Sequence, residues 1–384
     1  MKTAIAAILL LISFGAKAQV NGSVNTNGSS SNAITTAVPF LTITPDARSG
    51  AMGEAGVAIS PDVNASYWNP SKLAFIENTT NVSLSYTPWL QKILPNSYIA
   101  YGSFASKLDD RNTFGASVRY FNLGTSDLYD NDQNATGFVH PNEVSVDASL
   151  ARKFGEDFSL GLTLRYIYSD LTSGLIEQGQ TTNPGKSIAA DVSLYYKKET
   201  QQFDKDALFA FGVNISNVGT KINYERYGEG YFLPTNLKIG MANTWYLDDD
   251  NALTFAFDLN KLLVPTPPIR DENGNIIKGK DDNVSVPAGI FGSFTDAPGG
   301  LSEELQEISI SPGLEYWYDN KFALRAGYFY ENPNNGNEQY FTLGFGLKYQ
   351  DLNFDFSYIS ASQQNSPLAN TLRFSLKYSY GTSK

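Results

Sequence analysis

From about Asn81 onward, apolar and polar residues alternate, a period of two that sends successive side chains to opposite faces of a β-strand. The last segment shows it most plainly. Leu372, Phe374, Leu376, Tyr378 and Tyr380 share one face, and Thr371, Arg373, Ser375, Lys377 and Ser379 the other. Leu160, Leu162, Leu164, Tyr166 and Tyr168 repeat the pattern opposite Ser159, Gly161, Thr163, Arg165 and Ser169, as do Leu253, Phe255, Phe257 and Leu259. Such segments fall near 80–87, 97–106, 112–121, 143–153, 158–169, 187–197, 207–217, 234–246, 251–261, 305–317, 321–331, 338–349, 351–360 and 370–380, about 14 in all. Each is ~9 to 11 residues or slightly longer, the length a tilted strand needs to cross a bilayer.

The connections alternate in length. KLDDR, FGED, LDDD, DN and YQD are short, with KETQQFDKD the longest of that set. Between them lie 122–142, 170–186, 218–233 and 262–304, long and rich in Gly, Pro, Asn and Asp. Short turns on one side and long loops on the other predict an all-β fold: a transmembrane outer-membrane β-barrel of about 14 antiparallel strands. An even strand number then puts both chain ends on the short-turn, periplasmic side. A secreted sandwich or propeller would also alternate, but it gives no reason for an aromatic face on nearly every strand or for one-sided loop lengths. In the barrel the Leu and aromatic faces meet lipid. Arg119, Asp147, Arg165, Asp191, Asp258, Arg325, Lys348, Asp355, Arg373 and Lys377 point into the lumen, which avoids a cost of ~2 to 4 kcal/mol for each Arg or Lys at the lipid midplane. GTSK follows the last aromatic, Tyr380, where outer-membrane chains commonly finish on the aromatic itself.

Before the strands the chain reads differently. Met1 and Lys2, an apolar run from Ala4 to Phe14 and then Ala16-Lys17-Ala18 predict a signal peptide over 1–18. Residues 19–35 are a polar, flexible leader, 36–79 a compact segment before the barrel, and 80–384 the barrel. Gln19 at the new end, in place of Cys, argues against a lipoprotein. With no cysteine, the exported chain has no disulfides and relies on packing and hydrogen bonds. The 39 acidic residues against 28 basic, net −11, repel phosphate backbones, so nucleic acid is not an expected partner.

Candidate chemistry is sparse. The single histidine, His140, precedes Pro141 in a long loop and reads as a surface residue. One His and no Cys exclude zinc sites and His-based triads in their usual forms. The stretch from Asp130, DNDQNATGFVHPNE, faintly resembles a calcium loop but carries Ala135 where Gly is needed and Pro141 where the bidentate Glu belongs. No catalytic residue, cofactor or metal is expected. The run PDARSGAMGEAG at 45–56 is GxxGxxG with no Lys-Ser/Thr after it, so it is not a phosphate-binding loop.

Extended to 46–74, DARSGAMGEAGVAISPDVNASYWNPSKLA, the same run resembles the N-terminal hatch of FadL-like outer-membrane proteins, a small Gly-rich plug ahead of a 14-stranded barrel. Arg48, Met52, Gly53, Gly56, Asn69 and Pro70 carry the match. Within that superfamily the chain resembles the PorV (LptO) family of the type IX secretion system. The likeness runs from FLTITPDARSGAMGEAGVA at 40–58 through KLLVPTPP at 261–268 and GSFTDAPGGLSEEL at 292–305. The resemblance implies a non-enzymatic shuttle in the outer membrane. It would take the C-terminal signal domains of cargo from a translocon (Sov/SprA-like) and deliver them to an attachment complex of a PorU-type sortase with PorZ and PorQ. Its surroundings would be outer-membrane lipid and lipopolysaccharide. The residues add a candidate partner-binding loop, with apolar Phe291, Phe294, Leu301 and Leu305 beside Asp296, Pro298, Glu303 and Glu304; the alternative is a loop that only packs over the barrel mouth. A FadL-type channel for a hydrophobic small molecule remains the alternative, because it shares hatch and barrel.

Overall fold

A computed structural model of the chain describes residues 33–129, 135–171, 176–177, 180–181, 183–224, 230–361 and 368–382. The signal peptide and most of the leader lie outside the described residues, as does the start of the calcium-like stretch at 130–134.

Fourteen antiparallel strands close into a barrel in sequence order. They are β1 Asn78–Pro88, β2 Tyr98–Lys107, β3 Asn112–Asn122, β4 Asn142–Lys153, β5 Phe158–Asp170, β6 Gly185–Gln202 and β7 Lys205–Gly219. Then follow β8 Asn236–Tyr246, β9 Asn251–Leu262, β10 Ser309–Tyr318, β11 Phe322–Tyr330, β12 Gln339–Tyr349, β13 Leu352–Ala361 and β14 Leu372–Thr382. β1 closes on β14, with Val82 opposite Tyr378 and Ser83 opposite Lys377. Closure satisfies every edge, which a bilayer demands.

The alternation behaves as the pattern predicts. On β14, Leu376 and Tyr380 are 49% and 64% exposed on the outer wall, whereas Arg373 and Lys377 are buried in the lumen. Of the ten charged residues assigned to the lumen, nine are buried, and Lys348 lines the open short-turn mouth. Two connections differ from expectation. KETQQFDKD is not a loop, because β6 and β7 continue through it to a two-residue turn at Phe203 and Asp204. Both turn residues have positive φ, 55° and 58°, the geometry whose twist matches paired strands. The segment from 305 begins as helix, over Leu301–Gln306, and becomes strand only at Ser309. The long loop also holds a small hairpin, Ile269–Arg270 with Ile276–Lys278, and a helix, Val286–Gly292.

Residues 33–77 fold inside the barrel in short helical turns. They enter at the long-loop mouth, where the Ala37 N–H donates to the Phe232 carbonyl and Val38, Phe40 and Leu41 meet Trp89, Phe121 and Ile359. They leave at the short-turn mouth, where β1 begins. Strand parity therefore places only the start of β1 and the C-terminal strand end together. Ala33, the first described residue, lies at the opposite mouth.

Candidate functional site

Asp46 starts the inner segment by capping a four-residue helix, Ala47–Gly50, through a hydrogen bond from the Ser49 N–H at 3.0 Å. The cap holds Arg48 toward the wall. Its Nε and Nη2 donate to the two Glu315 carboxylate oxygens of β10 at 2.9 and 2.7 Å, a bidentate pair. Glu315 also accepts from Arg325 of β11 at 2.7 Å, and Arg325 reaches Asp355 of β13 at 2.8 Å. Lys377 of β14 bridges Asp355 at 2.9 Å and Asp62 of the inner segment at 3.0 Å, and Asp62 returns to Arg48 at 3.3 Å. Three cations and three anions thus form a closed ring joining the inner segment to four strands. Full mutual pairing is what lets charges of this kind stay buried.

The glycine run makes the remaining contacts by close backbone approach. Gly53 has φ +66°, and a Cβ there would stand 2.5 Å from backbone N and O of Tyr328 on the wall. Its N–H donates to Thr342 at 2.8 Å. A Cβ on Gly56 would strike the Trp68 ring at 2.2 Å, and the N–H groups of Gly56 and Val57 share the Asp258 carboxylate at 2.7 and 2.9 Å. Met52 is fully buried against Gly313 and Gly327 of the wall. Asn69 donates to the carbonyls of Val57 and Leu194, while Pro70 opens the next helical turn. All six residues expected at the hatch therefore lie in one buried contact zone. Sequence reading missed Asp62 and Glu315 as partners of Arg48. Glu315 falls on the lumen phase of its strand and was findable by alternation; nothing local marks Asp62.

The long loop is built on Lys261 at the end of β9. Its ammonium pairs with Glu304 at 3.0 Å and with Glu307. Glu304 also accepts from the Ala297 N–H at 3.0 Å, and Asp296 accepts from the Thr266 N–H at 3.3 Å. Burial pushes the Asp296 and Glu307 carboxyls up. Glu303 accepts from the Gly299 N–H at 2.5 Å, and Pro298 borders Gly279. The acids are thus occupied within the loop. Phe291, Phe294, Leu301 and Leu305 face outward at 80%, 46%, 74% and 61% exposure. His140 is exposed, bonded to Thr125 at 3.0 Å and edge-on to Phe138.

Among the described residues, no group of His, Cys, Asp and Glu is placed to hold a metal.

A family model described as Type IX secretion system protein PorV matches residues 26–269. No curated protein sequence matches the chain. Among solved structures, a TodX deltaS2S3 mutant, a monoaromatic hydrocarbon channel, aligns over 88% of this chain and 98% of its own with TM-score 0.51 at 12% identity. The Ralstonia pickettii toluene transporter TbuX aligns over 88% and 98% with TM-score 0.47 at 12% identity. At such identities the likeness is one of fold.

Proposed function

Given that the chain belongs to the PorV family of type IX secretion outer-membrane proteins, we propose that it is a non-enzymatic shuttle whose long loop engages the C-terminal signal domain of cargo at the translocon. It then hands cargo to the surface attachment complex, the PorU-type sortase with PorZ and PorQ. In this reading the long loops face outward, and the short turns and C-terminus face the periplasm.

The observation that carries the reading is the contrast within the long loop. Its base is pinned by Lys261, Glu304, Glu307 and Asp296, while four large apolar side chains stand in the open. A preorganised loop loses little entropy on binding, and exposed aromatics are the usual anchors of an interface. The hatch reading of 36–79 agrees with this division of labour. The inner segment crosses the lumen with buried Trp68, Met52 and the charge ring, and cavities of about 330 and 410 Å³ remain on its long-loop and short-turn sides.

Deleting 265–300 should leave a heat-modifiable barrel in the membrane while signal-bearing cargo accumulates in the periplasm. Loss of many secreted proteins marks the shuttle. Loss of uptake of one lipid-like compound, with secretion intact, marks the channel.

A further inference from the structure

The cavity on the long-loop side of the lumen holds chemistry that neither the hatch nor the long loop uses. It encloses about 330 Å³ between the inner segment and the inner faces of β8 to β11. Strand register explains its lining. Lys238, Asn260 and Ser309 are partners across β8, β9 and β10, and Asp258 opposite Ser311 forms the next row toward the short turns. Glu331, just past β11, continues the upper row, because Tyr330 pairs with Ile310. Its N–H donates at 2.9 Å to the carbonyl of Glu338, which precedes β12.

Five carboxylates and one ammonium line this cavity. Glu54 is paired with Arg373 at 3.3 Å, and Glu307 with Lys261. Asp258, Glu331 and Glu338 have no ion pair among the described residues. Lys238 stands instead over the Trp68 ring, 4.4 Å from its centroid. A second observation points the same way. Asp258 and Asn236, 4% and 2% exposed, each present a side-chain Oδ1 on this lining with no hydrogen-bond partner among the described residues, as does Asn260. Burial and the neighbouring Glu54 push the Glu331 carboxyl up to about 7, the response of a carboxyl group that lacks a cation.

We propose that this cavity binds a linear diamine or polyamine, with one ammonium group against Asp258 and Asn260 and a second against Glu331 and Glu338. Charge sets the class: the unpaired oxygens all accept, and a primary ammonium brings three donors and no acceptor. Spacing sets the two-ended form. Asp258 and Glu331 lie two strands and two residues apart, on the order of 12 Å at the backbone, a gap that inward-pointing side chains and a short alkyl linker close together. Leu262 and Phe329 give that linker apolar neighbours. A metal ion suits the cavity less, since among the described residues no group of His, Cys, Asp and Glu is placed to hold one. The site rests on neither the shuttle reading nor the membrane orientation, because binding is measured on the purified barrel without cargo.

Isothermal titration calorimetry of the full-length barrel in detergent, at ~0.15 M salt and about pH 8 so that Glu331 is ionised, reads the site with putrescine as probe. One putrescine should bind per barrel, and butylamine, with a single ammonium, should bind about tenfold more weakly or worse. Glu331→Gln/Glu338→Gln, a loop change outside the barrel wall, should weaken putrescine by a similar factor, as loss of charge-assisted hydrogen bonds would. Asp258→Asn should do so from the other end. Because Asp258 also accepts from the Gly56 and Val57 N–H groups, the loop variant keeps the test decisive if the hatch shifts. No saturable binding, several molecules scattered over a surface of net charge −11, or affinity unchanged in the loop variant would overturn the site. Butylamine bound as tightly as putrescine would overturn its two-ended form, and displacement of putrescine by an equal concentration of calcium would make it a metal site instead.

Discussion

At Gly53 two independent constraints meet: a left-handed backbone at φ +66° and a wall whose backbone stands 2.5 Å from where a Cβ would be. Gly53→Val should therefore displace the inner segment, and planar-bilayer recordings should show raised conductance, as they should for Gly56→Val beneath Trp68. Unchanged conductance in both would remove the plug role from this stretch. Arg48 makes a different kind of demand. Arg48→Leu leaves Glu315 with only Arg325 and Asp62 with only Lys377, and breaking a buried pair costs ~3 to 5 kcal/mol. Thermal unfolding in detergent should fall accordingly. The Arg48→Leu/Glu315→Leu double variant should recover part of the loss, because no lone Glu315 charge remains. Much of this zone was legible from the Gly spacing and the Asn69-Pro70 close. Its partners were less so, since Asp62 and Glu315 are 253 residues apart in sequence and only the closed barrel brings them to one guanidinium.

Among the elements, strands were the most legible and connections the least. A period of two is written in every strand and survives a bulge such as that opposite Asp191, where Asn217 adopts φ 61°. A loop has no period, so the helices at Val286–Gly292 and Leu301–Gln306 left no clear trace, and Leu305 imitated a strand start. The inward turn of Asp296 and Glu304 was equally hidden. Acids in a loop read as solvated until a buried lysine from a strand end is seen to collect them. Lys261→Met should leave Glu304 and Glu307 without their cation, and hydrogen exchange should quicken across 263–308 while the strands stay protected. Protection unchanged there would mean that Lys261 does not hold the loop base. A second loop carries a pH dependence. Burial pushes the Glu331 carboxyl up to about 7 from the ordinary 4.5, with Glu54 adding to the shift. Because the folded state holds this proton more tightly than the unfolded one, stability falls as pH rises from 4.5 toward 7. Glu331→Gln should flatten that part of the Tm profile, and an unchanged slope would assign it to other groups.

For the whole molecule, closure is the decisive fact. A soluble sandwich and a barrel share the same alternation. They differ in which face is wet, and here the charges face the interior while Leu and Tyr face out. The family match gives the secretion system, and the proposed cargo contact lies on a loop whose base is held by Lys261 and whose apolar side chains are exposed. Truncating interface anchors of this kind costs ~2 kcal/mol or more, about 30-fold in affinity. The most direct measurement is co-purification of cargo with the barrel from intact membranes, comparing wild type with Phe291→Asp/Leu301→Asp. The wild-type barrel should bring down signal-bearing cargo, and the double variant should lose most of it while remaining heat-modifiable. Equal capture by a correctly assembled double variant would contradict the account.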